Sequence, residues 1–198
     1  MLAALLCLIL ANAAHAPFWE AKAPADWTDD ELEEMLTKSP WVEPAVAAKN
    51  SDDVLVWLAT ARPMRDAEAE RDRRAAKNKA PIEDRDAEEY RDFVRENEGK
   101  YIVLALAIPN PDVLKDSREV ERMEDRCTLK IGGKKYKMVG HFPPSASDPY
   151  LRLVFPRPVN PGDKKLHFEL YVPSVNTNPY RQAEFTIQDL LYKGEPEM

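Results

Sequence analysis

Glycine, cysteine and histidine are scarce in this chain: six, two and three among 198 residues. Few glycines leave few places where the backbone takes a positive φ without cost. The seventeen prolines fix φ and cannot donate to a ladder, so stiff, extended connections and edge-strand boundaries are expected rather than flexible linkers. Basic charge is in deficit: the formal net charge is −7 and the pI near 5.1. Nothing displaces the counterions of a polyphosphate, which argues against nucleic acid as a partner. No Walker, G-x-G-x-x-G, G-x-S-x-G or H-E-x-x-H pattern occurs, so nucleotide binding and the common hydrolase and metalloprotease chemistries have no signature here. The N-terminal apolar run, Met1 to Ala14, is too short to span ~30 Å of hydrocarbon, and no transmembrane anchor is expected.

That run reads instead as a signal peptide of residues 1–16, with Ala14 and Ala16 as the small residues before the scissile bond to Pro17. No Lys or Arg precedes Lys22, where a basic leader would stand. Two alternatives compete. One is a buried apolar helix in an uncut protein; the other is a lipid anchor at Cys7, although Leu6 precedes it where a small residue is expected. The expectation is a secreted or periplasmic protein. Cleavage would remove Cys7 and leave Cys127 with no disulfide partner, so stability must come from packing. Cys127 heads an apolar alternation with Leu129 and Ile131, as a small buried hydrophobe does.

Residues 17–48 form a docking segment that holds three of the four tryptophans, Trp19, Trp27 and Trp41. Thr28 and Glu31 have capping-box spacing, and Trp27 and Leu32 the spacing of a hydrophobic staple. Leu32, Met35 and Leu36 make one stripe, and Pro40 ends the helix. A helix of about ten residues does not persist alone in water, so the stripe must be buried.

The remainder, 49–198, carries the β rhythm. Val54 to Ala61 and Tyr101 to Ile108 are apolar in both parities, which predicts strands covered on both faces, the first in part by the N-terminal helix. Between them a helical insertion spans about 64–98: a charged, alanine-rich, solvated stretch to Lys79, then a helix from about Asp84 to Glu96. A short helix follows around Ser117 to Met123. Cys127 to Val139 reads as a hairpin turning at Gly132-Gly133. Further strands are predicted at Tyr150–Phe155, Leu166–Val172 and from Ala183, with a type II turn at Asn160–Asp163. Asp189 falls in an inward phase and predicts a bulge or strand end. Seven strands without βαβ alternation point to a mainly β, α+β fold: an antiparallel immunoglobulin-like sandwich with an N-terminal docking helix and a helical insertion.

Little chemistry stands out. His141 and His167 lack a second ligand at zinc spacing. The acidic pairs Asp29-Asp30 and Asp52-Asp53 are accounted for by a helix cap and a turn rather than by calcium. Ser145 or Ser147 with His141 and Asp148 could be drawn as a triad, yet nearness in sequence does not make triad geometry. No catalytic, metal or cofactor residue is assigned. The candidate interaction residues are Trp57, Arg62, Arg65 and Arg181, because arginines beside an aromatic suit an acidic or carbohydrate-like ligand or a partner strand. The bland reading places Trp57 in the core, with the arginines covering its rim.

The opening, Trp19, Trp27-Thr28 and Ser39-Pro40-Trp41, resembles the start of a group of uncharacterised exported bacterial proteins. The block Val56-Trp57 to Arg65 and the ending from Phe185 through Tyr192-Lys193-Gly194 to Glu197-Met198 are similar to that group's middle and C-terminus. The resemblance implies export and brings no activity. The function expected is a non-catalytic module that binds another envelope or secreted protein. The alternatives are a secreted hydrolase with a loop-borne site, and a structural subunit that adds a strand to a partner's sheet edge.

Overall fold

A computed structural model describes residues 16–47, 53–77, 83–173 and 178–198. The expected signal peptide, apart from Ala16, and the Asp52 half of the Asp52-Asp53 pair lie outside them. The described residues hold five α-helices and eleven strands in mostly antiparallel sheets, an α+β fold. The helices are α1 (Phe18–Ala21), α2 (Asp29–Lys38), α3 (Arg62–Ala76), α4 (Arg85–Glu96) and α5 (Ser117–Arg126).

Five strands form the first sheet: β1 (Val42–Ala45), β2 (Val54–Leu58), β3 (Tyr101–Leu106), β7 (Leu151–Pro156) and β6 (Gly140–Phe142), in that order. The second runs β5 (Lys134–Lys137), β4 (Thr128–Ile131), β8 (Lys165–Tyr171), β9 (Tyr180–Thr186). A small hairpin, β10 (Leu191–Tyr192) with β11 (Glu195–Pro196), lies near the C-terminus. The strand rich in apolar residues on both parities, β3, sits at the centre of the first sheet, between β2 and β7.

The two sheets face one another across Phe155 and Phe168, whose rings lie 5.2 Å apart. Register sorts each strand into two faces. Ile102, Leu104 and Leu106 of β3 stand opposite Phe155, Leu153 and Leu151 of β7 and look into the sandwich. Val103 and Ala105 stand opposite Val154 and Arg152 and look outward, yet all are buried because helices cover that face. The sheets also join at both sides. Val46 exchanges backbone bonds with Gln182 of β9 (2.9 and 2.8 Å). Met138 donates to Cys127 of the second sheet and Val139 to Val154 of the first, so the β5–β6 run passes from one sheet to the other. These crossings tie the two sheets together at single residue pairs and, among the described residues, leave the strand edges otherwise open.

The N-terminal segment folds as its sequence predicts. The Thr28 hydroxyl accepts from the Glu31 amide (3.1 Å) and the Glu31 carboxylate accepts from the Thr28 amide (2.9 Å). Leu32, Met35, Trp27 and Trp41 are buried, and the Trp41 indole donates to the Glu197 carbonyl (2.8 Å). The helix packs on α3 and β1, however, and α3 rather than α2 supplies the side chain that meets Trp57 on β2. Two other expectations need correcting. The charged stretch after Met64 is not a wholly solvated helix: α3 buries Met64, Ala67, Glu68 and Glu70. The strands β1, β6, β10 and β11 are additional to the seven predicted; β1 contains Pro44 and the others are three residues or fewer, too short for a periodicity to register.

Candidate functional site

The outer face of the first sheet, beneath α3 and α4, collects the chemistry of the molecule. Trp57 on β2 and Arg152 on β7 flank Ala105 of β3 and point to the same side, because Ala105 is in register with both. Proline at the second position of α3 fits a first helical turn, where no intrahelical N–H is needed. Met64, Ala67 and Glu68 then fall on the buried stripe of that helix. Glu68 thereby meets both sheet residues. Its Oε1 accepts from the Trp57 indole N–H (2.7 Å) and its Oε2 from Arg152 Nη2 (3.2 Å).

Arg152 is 3% exposed and holds the cluster together. Its Nε and Nη2 donate in a fork to Asp148 (2.6 and 3.1 Å), and its Nη1 donates to the Tyr90 hydroxyl of α4 (3.2 Å). The guanidinium carbon also stands 4.1 Å from the centre of the Tyr90 ring. A forked arginine fixes orientation as well as charge, which a lysine could not do. Burial lifts the Glu68 carboxyl above its ordinary value against the pull of Arg152 and the indole. Burial lifts the Tyr90 phenol likewise.

The loop that carries Asp148 is itself pinned. Asp84, the N-cap of α4, accepts from the Ala87 amide (3.2 Å), the Ser145 and Ser147 hydroxyls (2.8 and 2.7 Å) and the Ser147 amide (2.6 Å). These donors, Ser147 first, hold its carboxyl well below the usual carboxylate range. Both serines of the conceivable triad are thus spent on Asp84, and Asp148 on Arg152. His141 lies 3.4 Å from Glu124 instead. The triad is not assembled.

Two hollows flank this cluster. A cleft of about 330 Å³ opens between α3 and α4, with Glu68, Tyr90 and Arg152 among its walls. On the other side a groove of about 660 Å³ runs between α2 and the start of β2, with Trp57 and Tyr150 in its floor. Their rings meet edge to face at 4.7 Å. Arg71 donates to the Tyr150 hydroxyl (3.1 Å) while bonded through Nε and Nη2 to Asp72 (2.9 and 2.8 Å).

Of the four residues singled out from sequence, Trp57 and Arg65 lie on this face. Trp57 is buried, and Arg65 lines the cleft and pairs with Glu98 at 3.1 Å. Arg62 is exposed at the start of α3, where its amide donates to the Glu197 carboxylate (3.3 Å). Arg181 belongs elsewhere. It is 1% exposed on β9 of the second sheet, in register with the inward Leu170, and its Nη1 donates to the Asn178 and Tyr180 carbonyls.

Glu68 and Arg152 were not singled out. A signal for Glu68 existed in the i, i+3, i+4 spacing of Met64, Ala67 and Glu68. Arg152 sits in the nominally outward phase of an alternating strand, and only knowledge of the helices above it reveals its burial. Cys127 is buried, accepts from the Tyr171 amide at 3.3 Å, and has its thiol pushed up to about 12 by burial. Among the described residues no group of three or more His, Cys, Asp or Glu is arranged to hold a metal ion, and no helix is long and apolar enough to cross a membrane. Comparison with protein families, with curated proteins and with solved structures finds no match to the chain.

Proposed function

We propose that this is an exported, non-catalytic β-sandwich module that binds another secreted or envelope protein through the helix-covered side of its first sheet. The observation that carries this reading is the engagement of both Glu68 oxygens inside the protein. Both carboxylate oxygens already accept bonds, from Trp57 and from Arg152. Those two bonds hold the carboxylate in place against the sheet, and a rigid, aromatic-floored platform needs its buried polar groups held in this way. Two facing antiparallel sheets support an immunoglobulin-like description of the sandwich. The apolar leader with Ala14 and Ala16 supports export, as does the resemblance of the tryptophan-rich opening to exported bacterial proteins.

Affinity recovery of the exported protein from its own envelope, read by mass spectrometry across a salt series, tests the binding role. A specific partner retained at moderate salt is the expected result; recovery of nothing above background contradicts it. N-terminal sequencing of the mature protein should begin at Pro17, and a mature chain that retains Met1 refutes export.

The competing reading, a secreted hydrolase, has one observation in its favour: Glu68 is a carboxyl of raised proton affinity on the wall of a cleft. Turnover of ester, glycoside or peptide substrates that disappears in a folded Glu68→Gln variant would install that reading instead.

A further inference from the structure

The groove beside Trp57 has features that the buried cluster does not explain. Its walls are apolar: Leu36 of α2, Val54 and Leu55 of β2, and Pro109 beyond β3. Leu55 is 43% exposed although it lies within a strand. At about 660 Å³ the groove falls in the range of sites that bury a ligand. Its wall also includes an open strand edge. β2 pairs with β1 over Val54–Trp57, but its register with β3 begins only at Val56. The β3-facing edge of Val54 and Leu55 therefore has no strand partner among the described residues.

The rim is acidic. Asp29, Glu33 and Asp53 border the groove. Asp29 is neutralised by Arg74 at 2.6 Å, and the one cation among the described residues that line the groove, Arg71, is neutralised by Asp72. Among the described residues Glu33 and Asp53 make no ion pair, and both are exposed. An apolar floor, an open strand edge and two uncompensated carboxylates describe one kind of occupant.

We propose that the groove docks an extended peptide segment of a partner protein that presents a large aliphatic side chain flanked by lysine or arginine. The aliphatic side chain fills the space between Leu36 and Leu55. The flanking cations face Glu33 and Asp53, and the peptide backbone continues the sheet along Val54–Leu55 in the place that β3 vacates. This rests on the binding-module reading and adds the chemistry of the partner to it.

The test titrates the full mature chain with three short synthetic peptides of alternating residues: lysine–leucine, glutamate–leucine and lysine–alanine, followed by NMR shift changes. The lysine–leucine peptide is expected to bind, with shifts centred on Leu36, Leu55 and Tyr150, and to weaken as salt rises. A Glu33→Lys/Asp53→Lys double variant, both positions being exposed, should keep its thermal midpoint and weaken binding by about tenfold or more. Leu55→Ser should weaken it without altering the salt dependence. Equal binding of the glutamate–leucine peptide, equal binding of the lysine–alanine peptide, or shifts centred elsewhere overturns the proposal. So does preferential binding of a small alkylammonium probe with no response to any peptide. If the peptides fail while the double variant still recovers the wild-type envelope partner, the groove assignment falls and the binding-module reading stands.

Discussion

The Trp57 indole N–H donates to Glu68 Oε1 at 2.7 Å, joining the middle of β2 to the buried stripe of α3. This bond ties the helical insertion to the sheet that the insertion interrupts. Trp57→Phe keeps a ring in the core and leaves Glu68 Oε1 without a donor in a buried setting. The variant should be less stable by about 1–3 kcal/mol, read from urea midpoints, and the same change in a Glu68→Gln background should cost less.

Removing Arg152 should be worse. It compensates two carboxylates, Glu68 and Asp148, and also bonds Tyr90. Arg152→Met leaves buried Glu68 and half-buried Asp148 without their shared cation, and a loss of about 3–5 kcal/mol is expected by chemical denaturation. Arg152→Lys restores the charge but not the fork on Asp148, so it should recover only part of that stability. Full recovery by lysine would mean that charge alone, and not geometry, holds the cluster.

Asp84 sets an acid limit. Its folded-state carboxyl titrates below the ordinary 3.8, so the unfolded chain takes up the proton first. The stability that Asp84 contributes is complete above that value and is lost as pH falls through it toward the folded-state value. Asp84→Asn should cost about 2 kcal/mol at neutral pH, as expected for hydrogen bonds to a charged acceptor. The gap from wild type should narrow in urea titrations carried below 3.8. A gap that stays constant would show that the four donors do not depend on the charge of Asp84.

Cys127 should be inert in the native protein. With its thiol lifted to about 12 and its side chain enclosed, it carries almost no thiolate at neutral pH. A thiol reagent should react with it only in concentrated denaturant; stoichiometric labelling of the native chain would contradict its burial.

The fold was legible wherever one side chain in two or four repeats itself. The capping box at Thr28, the strands through Phe168 and Phe185 and the turn at Gly162 follow from local rules and are present; the strand end expected at Asp189 comes three residues earlier, at Thr186, where a 3-10 turn over Ile187–Asp189 begins. The site was legible only in half. Trp57 stands out because a tryptophan in an apolar run must be buried, and its polar handle needs a partner. Glu68 lies within a run of alternating charges that reads as solvated, and Arg152 on the phase that a two-sheet sandwich leaves in water. Their burial is a tertiary fact: α3 and α4 add a third layer, and only that layer turns the outward face of β7 into an inward one. Arg181 shows the converse. It looked like a companion of Trp57, yet β9 carries it to the other sheet.

The proposal that a partner engages the helix-covered side of the first sheet predicts where a crosslink forms. A photo-crosslinking amino acid placed at Leu55 in one variant and at Tyr180 in another tests it most directly, since both side chains are exposed, at 43% and 52%, and lie on different sheets. Irradiation of the native envelope should yield a discrete adduct from the Leu55 position and none from Tyr180. A discrete adduct from Tyr180 alone, or from neither position, would contradict the claim.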